Sequence, residues 1–208
     1  MVRVTSGDDV PTRIILGIFN VAMALMFGKI LLVFREEGWE KLTDNEVCDE
    51  VLRPRVLRTL GLSFVEVMNA SIGMTRSNPG SILLFFAARL GIERFVTPAI
   101  TCGAWQHLVT VLFWASGETI RFTCFILSAI FPESSVPKYI RYTLGPIMFT
   151  CGTVGEILML IRAAYEGRPL VYIAVALWPV GFYSLMKQLL EQRRKHLLKN
   201  NKPEVKRV

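Results

Sequence analysis

Nine ionisable side chains lie inside otherwise apolar stretches of this 208-residue chain: Lys29, Glu66, Arg89, Glu93, Arg94, Glu118, Arg121, Glu156 and Arg162. Charge in such surroundings is expensive, so these groups face one another, a cavity or an interface, and they often mark chemistry. Lys29, Arg94 and Arg162 have long stems that can carry their charge to an interface. Glu118 and Arg121 stand three residues apart, on one face of a helix, where they can pair. Glu156 is different: it sits in the middle of the apolar run 147–161 with no basic residue within a helical turn. Gly152 and Gly155 beside it would let a ligand or a neighbouring backbone come close. A carboxyl so placed suits proton transfer, and equally suits a structural hydrogen bond. Tyr142, Phe149, Thr153 and Glu156 follow at spacings of seven, four and three, which lines them along one stripe of a helix.

Other chemistries are poorly provided for. His107 and His196 are too far apart in sequence for the histidine clusters of diiron and most zinc enzymes. Cys48, Cys102, Cys124 and Cys151 form no Cys-x-x-Cys pair, and three of them fall in apolar runs. They read as small buried hydrophobes rather than as a disulfide or a zinc site. No metal site is expected.

The elements that must hold these residues are helices in a membrane. Hydrophobic residues make up 52% of the chain and charged residues 20%, against about 25% charged in a typical soluble domain. The polar start carries Asp8 and Asp9 and does not read as a signal or transit peptide. Six apolar runs follow, at residues 14–34, 56–74, 81–100, 104–131, 139–164 and 170–186. The first, as a helix, rises about 30 Å, enough to cross a bilayer. The third is the weakest, because Arg89, Glu93 and Arg94 lie inside it. Turn-forming residues such as Asn78, Pro79 and Gly80, or Gly167 and Pro169, separate the runs. The reading is an all-α polytopic membrane protein with six transmembrane helices in one bundle. It comprises a cytosolic segment 1–12, a membrane domain 13–188 and a basic cytosolic tail 189–208.

The net charge is +7, and eight basic residues fall between Lys187 and Arg207 against two acids, Glu191 and Glu204. No aromatic residues interleave with them as a nucleic-acid surface would require, so the tail marks a cytosolic flank and no nucleic-acid partner is expected. An even number of spans then places both termini in the cytosol. A transporter would show related halves with broken helices, and no internal repeat is visible.

At this point the chain resembles the very-long-chain 3-hydroxyacyl-CoA dehydratase family, also called protein-tyrosine-phosphatase-like A. Phe19-Asn20 is similar to the family's Tyr-Asn. Glu66, Asn69, Gly73, Arg76 and Ser77 resemble its Glu-x-x-(His/Asn) … Gly-x-x-(Arg/Lys)-Ser signature, and Arg89 falls where the family has Ser-Arg. Trp114-Ala-Ser-Gly-Glu118-Thr-Ile-Arg121-Phe122 looks like Trp-Ser-x-Thr-Glu-x-x-Arg-Tyr. Arg141-Tyr142-Thr143-Leu144, then Gly152 and Glu156, parallels Arg-Tyr-(Thr/Asn)-Leu-Phe … Tyr-Pro-x-Gly-x-x-x-Glu. The ending Met186 … Gln192-Arg193-Arg194-Lys195 is similar as well. The likeness covers nearly the whole chain.

The resemblance implies a six-helix protein of the endoplasmic reticulum membrane that removes water from 3-hydroxyacyl-CoA to give trans-2-enoyl-CoA in fatty-acid elongation. It implies no cofactor, a long-chain acyl-CoA or lipid partner, and neighbouring elongation enzymes. By the same resemblance Glu156 is catalytic, and Tyr142, Arg121, Glu118 and Arg89 bind substrate. A mitochondrial membrane is the alternative location. The family's proton-handling pair is a Tyr and a Glu seven residues apart, and here the tyrosine position is Phe149. Phenylalanine has no O–H to donate or accept a proton, and losing one general acid or base costs on the order of 10²–10⁴ in rate. Two readings follow: a dehydratase with altered acid–base chemistry, or a catalytically inactive relative kept as a lipid-binding or structural subunit of a membrane complex. No Cys-x5-Arg phosphatase loop occurs.

Overall fold

The computed structural model describes residues 10–75, 77–167 and 169–198, and those residues contain helices and no strand. In chain order the helices are α1 (Val10–Glu36), α2 (Gly38–Leu42), α3 (Asn45–Val47), α4 (Arg53–Ser71), α5 (Pro79–Gly91), α6 (Thr97–Ile100), α7 (Trp105–Ile130), α8 (Val136–Tyr165) and α9 (Pro169–Leu198). Single π-helical turns join α3 to α4 (Cys48–Leu52) and α5 to α6 (Ile92–Val96). Arg76 of the expected hairpin turn and residues 199–208 of the basic tail lie outside the described residues.

Local chemistry sets the boundaries. Asn78 caps α5 by accepting from the Gly80 N–H at 2.9 Å, and Pro79 opens the helix where its missing N–H is harmless. Pro54 and Pro137 occupy the same early position in α4 and α8. Gly38, at φ +76°, turns the chain at the end of α1, a conformation that costs glycine little.

Three helices, α1, α7 and α8, are long and apolar enough to cross a membrane. Helix α1 shows how the sequence divides its faces. Met23, Phe27, Ile30 and Val33 are buried at helical spacing, while Ile14, Ile18, Val21 and Leu25 remain exposed on the other side. An apolar stripe of that length belongs against lipid rather than water. The expected third run is one helical stretch carrying a π turn at Ile92–Val96, just ahead of Pro98. That turn absorbs the disruption of proline and brings Glu93 into the interior.

Helix α7 is central: it packs on α1 and α8, while α8 packs on α9 and α4 on both α5 and α1. Small residues let α7 and α8 meet closely. A Cβ on Gly155 would lie 2.2 Å from the Thr110 Oγ1, and one on Gly152 would lie 3.2 Å from the Trp114 ring.

The short helices form a cap at one end of the bundle, and here one expectation fails. Cys48 and Cys102 are not separate buried hydrophobes; they form a disulfide across a sequence separation of 54. The π turn that starts at Cys48 and the loop after α6 place their Cα atoms 5.6 Å apart. Only Cys124 and Cys151 are free. Asn45 Oδ1 accepts from the Gly103 N–H at 2.9 Å, and a Cβ on Gly103 would strike the Thr43 carbonyl oxygen at 2.2 Å.

Candidate functional site

The ionisable residues of the apolar runs converge. Arg121 Nη1 and Nη2 donate to both oxygens of Glu66 at 2.5 and 2.7 Å, and its Nε donates to Glu118 Oε2 at 2.6 Å. Glu118 Oε1 accepts from Arg89 Nη1 at 2.7 Å. Two arginines and two glutamates from α4, α5 and α7 thus form a charge-balanced line through the bundle, with the forked geometry that favours arginine over lysine. The expected Glu118–Arg121 pair is present, but as the middle of this longer line.

Glu156 is buried, at 7% exposure, and is not isolated. Trp114 of α7 donates its indole N–H to Glu156 Oε1 at 2.7 Å. The close α7–α8 approach at Gly152 and Gly155 is what brings Trp114 within reach. The face of the same indole carries Arg89, whose guanidinium carbon stands 5.4 Å from the ring centre. One rigid side chain therefore links the carboxyl of α8 to the charged line.

Phe149 faces the same region in different company. Its ring stands 5.2 Å from Phe85, edge to face, and 5.6 Å from Phe182, stacked. Phe85 in turn lies under Arg89 at 5.6 Å. A run of contacts thus passes from Glu156 through Trp114, Arg89 and Phe85 to Phe149, and encloses the stretch of α8 between its two ends. That stretch rises about 10 Å and carries the buried Thr153.

Tyr142 is buried two turns further along α8 and is engaged elsewhere. Arg141 Nη2 donates to its hydroxyl, and the Arg141 guanidinium also lies 4.6 Å over Phe125. Of the residues singled out from the sequence, Glu156, Arg89, Glu118, Arg121 and Phe149 are joined by this chain of contacts, and Tyr142 reaches it through Arg141 and Phe125, whose ring centre also lies 6.0 Å from the Arg121 guanidinium carbon.

A second polar cluster lies in the cap. His107, wholly buried, has Nδ1 at 2.7 Å from the Cys102 carbonyl oxygen and Nε2 at 2.9 Å from Glu93 Oε1. Arg53 reaches the Glu93 carbonyl at 3.4 Å. The ligand atoms of Cys48, Cys102 and His107 lie within 4.8 Å of one another. The two sulfurs are bonded to each other, so the cysteines act as a covalent staple beside His107. Sequence reasoning noted Glu93 and His107 separately, and nothing in their spacing announced the pair.

With this geometry in hand, comparison with known proteins is specific. The family model of the protein tyrosine phosphatase-like protein, PTPLA, matches residues 61–199. That range holds every member of the charged line and all of α8, while Cys48 falls outside it. A protein of Schizosaccharomyces pombe (strain 972 / ATCC 24843), named probable very-long-chain (3R)-3-hydroxyacyl-CoA dehydratase, is 22% identical over 192 residues. The alignment covers 86% of this chain and 91% of the yeast protein. No solved structure matches the chain.

Proposed function

Because the chain belongs to the protein tyrosine phosphatase-like PTPLA family, we propose that it is a membrane-embedded hydro-lyase that eliminates water from a long-chain 3-hydroxyacyl-CoA, with Glu156 as its proton-handling group. The observation that carries this reading is the Glu156 carboxyl itself: buried in an apolar helix and held by the Trp114 N–H. A structural carboxyl could be replaced by an amide at little cost. One held by a neutral donor at the edge of a charged line can take and return a proton.

Dehydration needs a base for the C2 proton and an acid for the departing C3 hydroxyl. With phenylalanine at position 149, both duties fall to Glu156 in turn. The carboxylate takes the C2 proton, the C2–H electron pair forms the C2=C3 bond, and the protonated carboxyl gives the proton to the leaving hydroxyl, which departs as water. The site ends in its starting state, and no cofactor takes part. Both proton transfers then occur on one face of the substrate.

The chain crosses the membrane six times in this reading, with both termini in the cytosol. The disulfide supports that orientation, since the cap lies where α7 begins, at the opposite end of the bundle from where α9 runs out towards the basic tail. Disulfides persist on the oxidising side of a membrane. A C-terminal tag accessible to protease in intact membranes is the expected result, and a protected tag would reverse the orientation. The endoplasmic reticulum membrane, beside the other elongation enzymes, is the location that suits this activity.

A second reading is favoured by one observation, the wholly aromatic setting of Phe149 between Phe85 and Phe182. In it the chain binds acyl lipid, or serves as a structural subunit of a membrane complex, without catalysing elimination. Purified protein in lipid, given a long-chain 3-hydroxyacyl-CoA, separates the two. The dehydratase reading expects trans-2-enoyl-CoA to form and Glu156→Gln to reduce the rate by about 10²–10⁴ or more. Equal rates for the native protein and Glu156→Gln would end the first reading.

A further inference from the structure

One nitrogen of Arg89, Nε, is buried and left unpartnered by the charged line. Its Nη1 is taken by Glu118, and its guanidinium carbon lies 5.6 Å from the Phe85 ring centre and 5.4 Å from that of Trp114. Its Nε is shut away from solvent with no hydrogen-bond partner among the described residues. A buried N–H left open is costly, and native proteins rarely keep one without a use.

We propose that the Nε–H of Arg89 is the donor for the carbonyl oxygen of a bound acyl thioester, working opposite Glu156. The inference rests on the dehydratase reading and adds the group that reading lacks. When a base removes the C2 proton, the C2–H electron pair moves toward the thioester carbonyl and negative charge grows on its oxygen. A fixed donor aimed at that oxygen lowers the barrier, because it is in place before the charge develops. The pair then returns to form C2=C3 as the C3 hydroxyl leaves with its proton, and the charge on oxygen is discharged.

The geometry suits this division of labour. Trp114 fixes Glu156 through its N–H, 2.7 Å from Oε1, and supports Arg89 on its ring face at 5.4 Å, so base and donor flank one indole. Glu118 anchors the guanidinium from its Nη1 end and is itself tied to Arg121 and Glu66. Arg89 is thereby restrained from swinging across to pair with Glu156, which would neutralise the base. An arginine can serve Glu118 at one end of its fork and a substrate at Nε, whereas a lysine offers its donors from a single point. Lysine would keep the ion pair with Glu118 and lose the carbonyl donor.

The test follows the carbonyl directly. Glu156→Gln protein in detergent is given trans-2-hexadecenoyl-CoA labelled with ¹³C at the carbonyl, and the infrared carbonyl band is compared with that of the same compound in empty micelles. The expected band lies at lower frequency on the protein and returns to the micelle value when Arg89→Lys is added. In proteins that turn over, native or Phe149→Tyr, Arg89→Lys is expected to lower kcat by about 10²–10³, the loss typical of one oxyanion donor, with KM little changed. A band at the micelle frequency in Glu156→Gln alone overturns the proposal without reliance on the arginine variant. So does an Arg89→Lys effect confined to KM. Silence of both native and Phe149→Tyr proteins, with the band still shifted in an Arg89-dependent way, sinks the dehydratase reading and leaves the carbonyl contact standing.

Discussion

Ionisable groups enclosed among the helices gather in two places in the described residues, the cap and the centre of the bundle, and the two are built differently. In the cap, His107 meets an acceptor at each ring nitrogen, Asn45 serves the Gly103 N–H, and a disulfide ties the set together, while Glu93 Oε2 and Arg53 Nε are buried without a partner among the described residues. Its partners come from segments beside one another at one end. In the centre, Glu66, Arg89, Glu118, Arg121 and Glu156 come from four long helices, and the set still holds an open donor at Arg89. A covalently closed cluster resists movement and holds helix ends in register. The central set, held by hydrogen bonds and aligned by Trp114, has no covalent tie and can exchange a partner for a ligand. The difference teaches that neither enclosed charge nor an unpaired polar atom alone identifies a site; the covalent tie marks the cap as structural, and the carboxyl that Trp114 aligns between helices marks the centre.

That contrast can be broken by experiment. Removing the disulfide with Cys48→Ser should destabilise the protein by about 4 kcal/mol, the chain-entropy value for a loop of this length. The rate per folded molecule should be unaltered. Thermal melting and turnover measured on one preparation check both parts, and a fall in kcat with unchanged melting would move the cap into the catalytic machinery. The next effect is smaller. His107→Leu leaves the Glu93 carboxyl buried without its partner and should cost about 1–3 kcal/mol, again in melting rather than in rate. Substitutions in the centre are expected to do the opposite, as Glu156→Gln and Arg89→Lys spare melting more than turnover.

Much of the helical layout was legible in the sequence. The expected run 14–34 lies within α1, 104–131 follows α7 closely, and 139–164 lies within α8. Long apolar runs bounded by proline and glycine leave little freedom. Asn78-Pro79-Gly80 announced the start of α5 through the preferences of a helix N-terminus. The π turn at Ile92–Val96 was not readable, because the same residues fit an ordinary helix and only packing against α7 and α8 decides between them. Glu156 was visible as a lone carboxyl in apolar sequence, and Glu118 with Arg121 as a pair. Their partners were not. Trp114 lies 42 residues from Glu156 and Glu66 lies 55 from Arg121, and sequence spacing says nothing about contacts between helices. The disulfide escaped for the same reason, since neither cysteine stands in a motif and only the folded cap makes them neighbours.

The central claim is that Glu156 performs the elimination in a site that offers phenylalanine, with no O–H, at position 149. Phe149→Tyr tests it most directly, because it restores an O–H one helix stripe from Glu156 without touching the charged line. Initial rates of enoyl-CoA formation from a long-chain 3-hydroxyacyl-CoA should rise by about 10²–10⁴ over the native protein, and the gain should vanish when Glu156→Gln is added. A rate that Phe149→Tyr leaves unchanged, or a gain that survives Glu156→Gln, would contradict the account and assign the elimination to residues other than this pair.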